Sequence, residues 1–550
     1  MTLSPSRSSA ALAYLLALFV PSGVPLTAGE LPAPVPAGPT CSLDDPANQV
    51  GEIEIDPRNI FDLARPGENV LLFRLANRLH WTTRPRVIRD QLVFRSGEPF
   101  SPAALAESER VLRANHYIYE AHVEPLRCVD HRVDVAVLTR DVWTLEGGIT
   151  FHRAGGANSS SFELQDINFL GTGKRIEVAR TATVDRTSRL ARYEDPNLLG
   201  SRVRLELSLA DNSDGRQESG LLERPFYSLD ARWAAGVEGF ANDRVDSLYA
   251  AGKIAEQFRH RQDFVEVYGG LSPGLVDGDT RRWRLGFTVD RNRFGPAPGQ
   301  APTALLPPAR SLAYPWIGYQ WIENGYTTER DLNRLRRTED YNLGRQLDLR
   351  LGFSSPTFGG DRDRLIASGT ASAGWRPLPS TLVFGSLFAA GRYAEGRAEN
   401  ALLSADLRLY ARDLGTSVTY VNLEGVLAHR LDRDSQLLLG GDNGLRGYPL
   451  RFEQGDRRLL LNLEQRFYSD REYFHLVNFG AAVFFDAGRA WFVGTHTAEE
   501  RLLKDIGVGL RIGSSRSARG SVVHLDMAYP LGAERSIKRM QWLVSTSESF

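Results

Sequence analysis

With 550 residues, the chain can hold several domains or one large barrel with an appendage. Its 66 basic and 67 acidic residues leave a net charge of −1, so no bulk basic surface argues for nucleic acid. No internal run reaches about 18 apolar residues, which argues against a helical membrane protein but leaves a β-barrel open, because barrel strands alternate in polarity.

The N-terminus carries Arg7, then an apolar stretch over residues 10–20 that is too short to span a bilayer, then Pro21 and the small residues Thr27-Ala28-Gly29. This pattern predicts a signal peptide over residues 1–29 and export of the chain; the other reading is an apolar helix of a soluble domain. Residues 30–47 form a proline-rich linker, expected to be extended. Cys41 and Cys128 are the only cysteines. In an oxidising compartment they are a candidate disulfide tying the N-terminal segment to the next domain, with two unpaired thiols as the alternative. No cysteine–histidine spacing suggests zinc, and the 10 histidines do not cluster as metal ligands.

Residues 48–142 read as a small α+β module. Val50 to Ile55 alternate like a strand, residues 69–81 suit a helix and residues 87–95 look extended. Ser101-Pro102 opens a clear helix with apolar positions at Leu105, Val111 and Leu112. Two strands follow, over residues 118–125 and 132–138. This stretch resembles a polypeptide-transport-associated (POTRA) domain in Gly97-Glu98-Pro99-Phe100-Ser101, in the run from Glu109 to Ile118, and in Val133-Asp134-Val135-Ala136-Val137. One copy is present.

From residue 143 to residue 550 helical periodicity vanishes, and strand-like runs alternate with Gly, Asp, Asn and Pro turns. Val203, Leu205, Leu207 and Leu209 share one face, with Arg202, Arg204, Glu206 and Ser208 opposite. A soluble sandwich would turn the apolar face inward, and a membrane barrel would turn it to lipid. About 400 residues of strand pattern exceed a single sandwich, and the export signal agrees with a barrel. Asp166-Ile167-Asn168-Phe169-Leu170-Gly171 returns as Asp195-Pro196-Asn197-Leu198-Leu199-Gly200, a repeated turn in which Asn and Gly are expected to supply positive φ. Residues 295–310 are proline-rich and read as a long external loop.

The most informative stretch is Leu445-Arg446-Gly447-Tyr448, a loop ahead of the last strands. In the strand that follows, Asn462, Glu464 and Arg466 share a face. In the next, Phe484 and Asp486 do, ahead of Gly488. If the intervening Leu461, Leu463, Val483 and Phe485 meet lipid, Glu464 and Asp486 point into the lumen. A loop arginine folded inward would then bridge them, with Gly447 allowing a close approach to the wall. The bland reading is three unrelated surface charges.

These motifs resemble the outer-membrane protein assembly superfamily (BamA/TamA-like, bacterial surface antigen barrels). Arg446 matches its loop motif, Glu464 and Arg466 its first strand motif, and Phe484, Asp486 and Gly488 its second. The segments Gly507 to Arg511 and His524 to Leu531 match the next strands, and Phe550 the terminal aromatic that marks a barrel for assembly. The resemblance implies about 16 antiparallel strands, whereas the strand-like runs number nearer twenty. It also implies a bacterial outer-membrane location with the N-terminal domain in the periplasm, a role in inserting or translocating polypeptides, and outer-membrane lipid, extended polypeptide clients and an accessory periplasmic protein as partners. A passive pore or structural barrel, and a lipid-handling barrel, are the alternatives. No cofactor is implied. Enzymatic lookalikes are read as decoys: Gly270-Leu271-Ser272-Pro273-Gly274 lies in a strand–turn context where a nucleophile elbow needs a following helix.

Overall fold

The computed structural model describes residues 41–299, 306–335, 337–412, 415, 417–494, 501–517, 522–532 and 537–547. The expected signal peptide, most of the proline-rich linker and Phe550 lie outside these residues.

The N-terminal module comprises β1 (Gln49–Arg58), α1 (Leu71–Leu79), α2 (Pro85–Arg89), α3 (Pro102–Arg113), β2 (Ile118–Val129) and β3 (Arg132–Asp141). Its sheet has the order β1-β3-β2, with β1 parallel and β2 antiparallel to the central strand. Leu105 and Leu112 of α3 bury against Val50, Ile88, Val135 and Val137, while Val111 is half-buried. Ser101 holds the extended conformation of an N-cap but makes no side-chain capping bond, leaving Pro102 to set the first turn. The expectation of a strand-like stretch over residues 87–95 fails: a short helix and a turn stand there, with no strand. Pro85 fixes the first turn of α2, and Ile88 then buries completely in the core. Cys41 and Cys128 are disulfide-bonded, with Cα atoms 5.6 Å apart.

Beyond the module the chain closes into an antiparallel barrel. Its staves begin with β4 (Leu145–Ala154), β5 (Ala157–Asp166), β6 (Arg175–Ala182), β7 (Thr187–Asp195), β8 (Arg204–Asn212) and β9 (Gly215–Arg224). Longer strands follow: β10 (Trp233–Ala250), β11 (Lys253–Leu271) with its short continuation β12 (Leu275–Val276), β13 (Asp279–Pro296) and β14 (Arg310–Glu323). A hairpin of β15 (Tyr326–Arg330) and β16 (Thr338–Asn342) stands apart from the wall, which resumes with β17 (Gln346–Ser354), β18 (Arg364–Leu378), β19 (Thr381–Ala394), β20 (Arg397–Arg412) and β21 (Ser417–His429). A second inserted pair, β22 (Leu437–Leu439) and β23 (Glu453–Gly455), precedes the last staves: β24 (Arg457–Tyr473), β25 (Val477–Trp491), β26 (Leu503–Ser514), β27 (Val522–Pro530) and β28 (Gln541–Ser547). With β12 counted as part of β11, the wall has 20 strands, not the 16 implied by the resemblance. The short runs β4 to β9 are whole staves, each paired along its length with its neighbours from β5 onward.

Alternation decides which face meets what. Leu207 and Leu209 of β8 point outward and are about half exposed, while Arg204 turns inward to Glu206 at 2.6 Å. The same polarity holds around the wall, giving an apolar belt outside and a charged lumen inside, the arrangement of a membrane-spanning barrel. The repeated turns are short 3-10 segments on the module-side rim, but their chemistry differs from expectation. Leu170 (φ 53°) and Leu199 (φ 56°) take the left-handed conformation together with the following glycines, whereas Asn168 stays at φ −139°. The asparagine acts through its side chain, whose Oδ1 accepts the Gly173 N–H at 2.7 Å.

Module and barrel meet at a buried polar node. Asp141 accepts the backbone N–H of Thr83 at 2.6 Å and its hydroxyl at 2.9 Å, and that hydroxyl accepts from Asn168 Nδ2 at 2.8 Å. Burial pushes the Asp141 carboxyl up to about 7, partly countered by the Thr83 bonds. Burial likewise pushes His80, whose Nε2 lies 3.9 Å from Asp141, down to about 4.

Candidate functional site: the lumen ion network

The segment between β21 and β24 enters from the rim opposite the module and folds back into the lumen. Its neck is the β22–β23 ladder, and Leu439, Leu445 and Tyr448 bury against Leu460 and Ala490. Leu445 N–H donates to Gly440 O at 3.0 Å and Tyr448 N–H to Leu445 O at 3.0 Å, which fixes a compact turn. Gly447 passes so close to the wall that a Cβ there would lie 2.6 Å from Asp505 Cβ. Gly488 likewise leaves room, since a Cβ would sit 3.1 Å from Leu439. Both glycines are required by approach, not by backbone torsion.

Arg446 is the centre of this arrangement. Its Nε and Nη2 donate to the two carboxylate oxygens of Asp486 at 2.7 and 2.8 Å, a bidentate pair. Its Nη1 reaches Glu464 and Asp526, each at 3.3 Å. The guanidinium carbon lies 3.3 Å from the Phe484 ring centroid, a stacked cation–π contact. Phe484 fits there because Gly507 on the neighbouring strand has no Cβ where the ring lies. Asn462 Nδ2 donates both to Asp486 and to Gly444 O at 2.8 Å, pinning the loop backbone to the same carboxylate.

The predicted partners Glu464 and Asp486 therefore converge on Arg446, on adjacent strands as the periodicity required. Asn462, Glu464 and Arg466 are buried inside, and Leu463 and Val483 face outward. The sequence reading missed Asp526 and Arg511. Arg511 donates to Glu464 at 2.9 Å and also pairs with Asp526, so three arginines and three acids form one buried network. Both residues lie in segments that the resemblance matched to the next strands, and their parity within those strands was the available signal. Arg466 does not touch the loop. It lies 3.4 Å from Glu464 and 4.3 Å from the Tyr420 ring, and its Nη1 donates to Leu332 O at 2.8 Å.

Leu332 belongs to the β15–β16 hairpin, which inserts from the module-side rim. Its tip buries Leu332 against Leu382, Tyr410, Val418 and Tyr420 on the inner wall. The Glu339 carboxylate accepts the N–H groups of Leu332, Asn333 and Arg334, shaping the tip, and Arg337 reaches across to Ser517 O at 2.6 Å. From the module, Arg113 makes a bidentate pair with Asp340 at 2.7 and 3.0 Å, and Glu120 accepts from Thr338 at 3.2 Å. The lumen is thus occupied from both ends, by the Arg446 loop and by a hairpin held by the module.

The seam between the first and last staves is the weakest part of the wall. β28 pairs with β27 from Gln541 to Ser547, but among the described residues its register with β4 holds the single pair Val544–Arg153. β4 is fully paired on its other side, so among the described residues one of its edges keeps most of its backbone groups out of a ladder. The Gly270-to-Gly274 lookalike sits in a strand–turn–strand segment, where Ser272 Oγ donates to Arg281 O at 2.8 Å.

No family model and no curated protein matches the chain. Among solved structures it is similar to BamA from Haemophilus ducreyi lacking POTRA domains 1–3, at 14% identity and a TM-score of 0.38, over 91% of this chain and 84% of that one. It is similar to CdiB from Acinetobacter baumannii (11% identity, TM-score 0.46, 91% and 73% covered) and to CdiB from Escherichia coli (12%, 0.42, 91% and 76%). The motif residues Arg446, Glu464 and Asp486 meet inside this chain's own closed barrel.

Proposed function

We propose that the chain is a bacterial outer-membrane barrel that helps insert or translocate polypeptides, with residues 48–142 as a periplasmic POTRA-like domain. The observation that carries this reading is the seam. An edge strand inside a bilayer with unpaired N–H and C=O groups is costly, and an extended client strand is the ligand that satisfies it. The exposed edge of the module sheet, β2, offers a second place for an extended client or an accessory periplasmic protein by the same strand addition. The Arg446 network supports the reading by holding the wall together near the seam while the seam itself stays weak.

A passive pore is the less supported alternative, because the loop and the hairpin both fill the lumen. Depleting the protein and quantifying the outer-membrane and secreted proteomes tests the proposal. Specific barrel or surface proteins should fall in amount, and unchanged proteomes would contradict it.

A further inference from the structure

We propose that α1 is an interfacial membrane anchor that lies in the phospholipid leaflet on the module side. The helix is apolar on two sides. Phe73 turns inward, stacks on Phe61 at 4.0 Å and packs with Trp143 and Leu476. On the other side Leu71, Leu72, Leu75 and Leu79 are 75%, 63%, 49% and 62% exposed, followed by Trp81 at 62%. At 3.6 residues per turn these leucines fall within about 100° of arc, a continuous stripe. A soluble module has no reason to leave that stripe in water.

Two observations assign phospholipid to it. The first is continuity with the lipid-facing belt. The carbonyls of Trp81 and Thr82 seat against Gly171 in the turn between β5 and β6, and Arg84 N–H donates to Gly171 O at 2.9 Å. In that turn Phe169 and Leu170 are exposed, and they lead directly to the outward Phe162 and Leu164 of the wall. At the helix's other end, Phe73 meets His475 edge-on in the turn before β25. The helix is therefore tied to two rim turns, one between β5 and β6 and one between β24 and β25, and held at rim level.

The second observation is charge. Arg74 and Arg78 are exposed along one border of the stripe, and α1 contains no acidic residue. Arg84, Arg86 and Arg89 are exposed just beyond, with Asp90 the nearby acid, 3.7 Å from Arg86. In a chain of net charge −1 this concentration suits anionic phospholipid headgroups. The arginines would extend to the phosphates while the leucines enter the upper acyl region by about 5–10 Å.

The proposal rests on the barrel spanning a membrane, and its test separates the two ideas. The full chain, its native disulfide kept oxidised, receives one new cysteine at a time: Leu75→Cys on α1, Leu407→Cys on the outer wall, or Arg127→Cys on the exposed module edge. Each thiol carries a nitroxide, and the protein is placed in nanodiscs of phosphatidylethanolamine and phosphatidylglycerol. Accessibility to oxygen relative to a water-soluble nickel chelate should be several-fold higher at Leu75 than at Arg127 and should approach the Leu407 value. Adding Arg74→Gln and Arg78→Gln should shift the Leu75 label toward water. A Leu75 label as wet as Arg127, beside a lipid-exposed Leu407, overturns the anchor alone. So does protection of Leu75 that appears only in particles holding two copies of the chain, which assigns the stripe to a second copy. Protection that appears only on adding an unfolded polypeptide also overturns it and assigns a client groove. If Leu407 itself reads as wet, the membrane-spanning reading fails instead.

Discussion

Removing the Arg446 guanidinium should destabilise the barrel through one identifiable group. Asp486 is fully buried, and its two oxygens take two charge-assisted bonds from Arg446. Without them the Asn462 amide is the side-chain N–H donor left on that carboxylate among the described residues, beside the buried Asp505 carboxyl. Glu464 and Asp526 fare better, because Arg511 still bridges them. The loss therefore concentrates on one buried, unpaired charge, for which about 3–5 kcal/mol is expected. Arg446→Lys keeps the charge but loses the fork, and should cost roughly 1–3 kcal/mol. Adding Asp486→Asn to Arg446→Ala removes the orphaned charge and should recover at least about 1 kcal/mol, read as a coupling energy. Urea titration of the purified protein in detergent micelles, followed by the gel-mobility shift between folded and unfolded barrel, measures these three variants and Asp486→Asn alone against wild type. An Arg446→Ala protein within about 0.5 kcal/mol of wild type would refute the reasoning, because that is the range of an uninvolved surface change.

Further outcomes follow from the same geometry. Replacing residues 326–342 by a short flexible linker should open the lumen from the module side, raising single-channel conductance in planar bilayers; unchanged conductance would mean the hairpin does not plug the barrel. Gly447→Ala forces a Cβ against Asp505 and should destabilise the barrel by about 1–3 kcal/mol in the same urea assay, with a wild-type midpoint counting against the close approach. At the module junction the signs of two titrations oppose. Asp141, raised from 3.8 to about 7, contributes stability that is full below its ordinary value and lost as pH rises through about 7. His80, lowered from 6.5 to about 4, contributes stability that is full above 6.5 and lost as pH falls through about 4. Over the shared window they offset, so His80→Gln should unmask the Asp141 dependence. Hydrogen exchange at Thr83 N–H, corrected for intrinsic rates, should then show more protection near pH 5 than near pH 8, and equal protection would contradict the assignment.

What the sequence made legible was local. Period-two alternation placed Asn462, Glu464 and Arg466 on one face and Asp486 on the matching face of the next strand, because a strand admits two orientations and lipid selects one. It placed no distant partners. Asp526 lies 80 residues beyond Arg446, and only barrel closure brings it there. The β15–β16 hairpin was illegible for the same reason. Its tip is polar except for Leu332 and Leu335, and its anchors, Arg113, Arg466 and Ser517, are scattered along the chain. The strand count went astray where the resemblance overrode the runs themselves. The α2 segment was misread because a five-residue helix has too few positions to display a period.

The proposed role requires the seam between β4 and β28 to receive a polypeptide strand. Cysteines at Arg153 and Val544, the one registered pair of the seam, can lock it with a disulfide. Vesicles carrying the protein should speed the folding of an unfolded outer-membrane barrel protein into lipid. The Arg153→Cys/Val544→Cys variant should lose that acceleration when oxidised and regain it when reduced, with reduced wild type as the control for the native disulfide. Equal acceleration by the locked and unlocked forms would contradict the account.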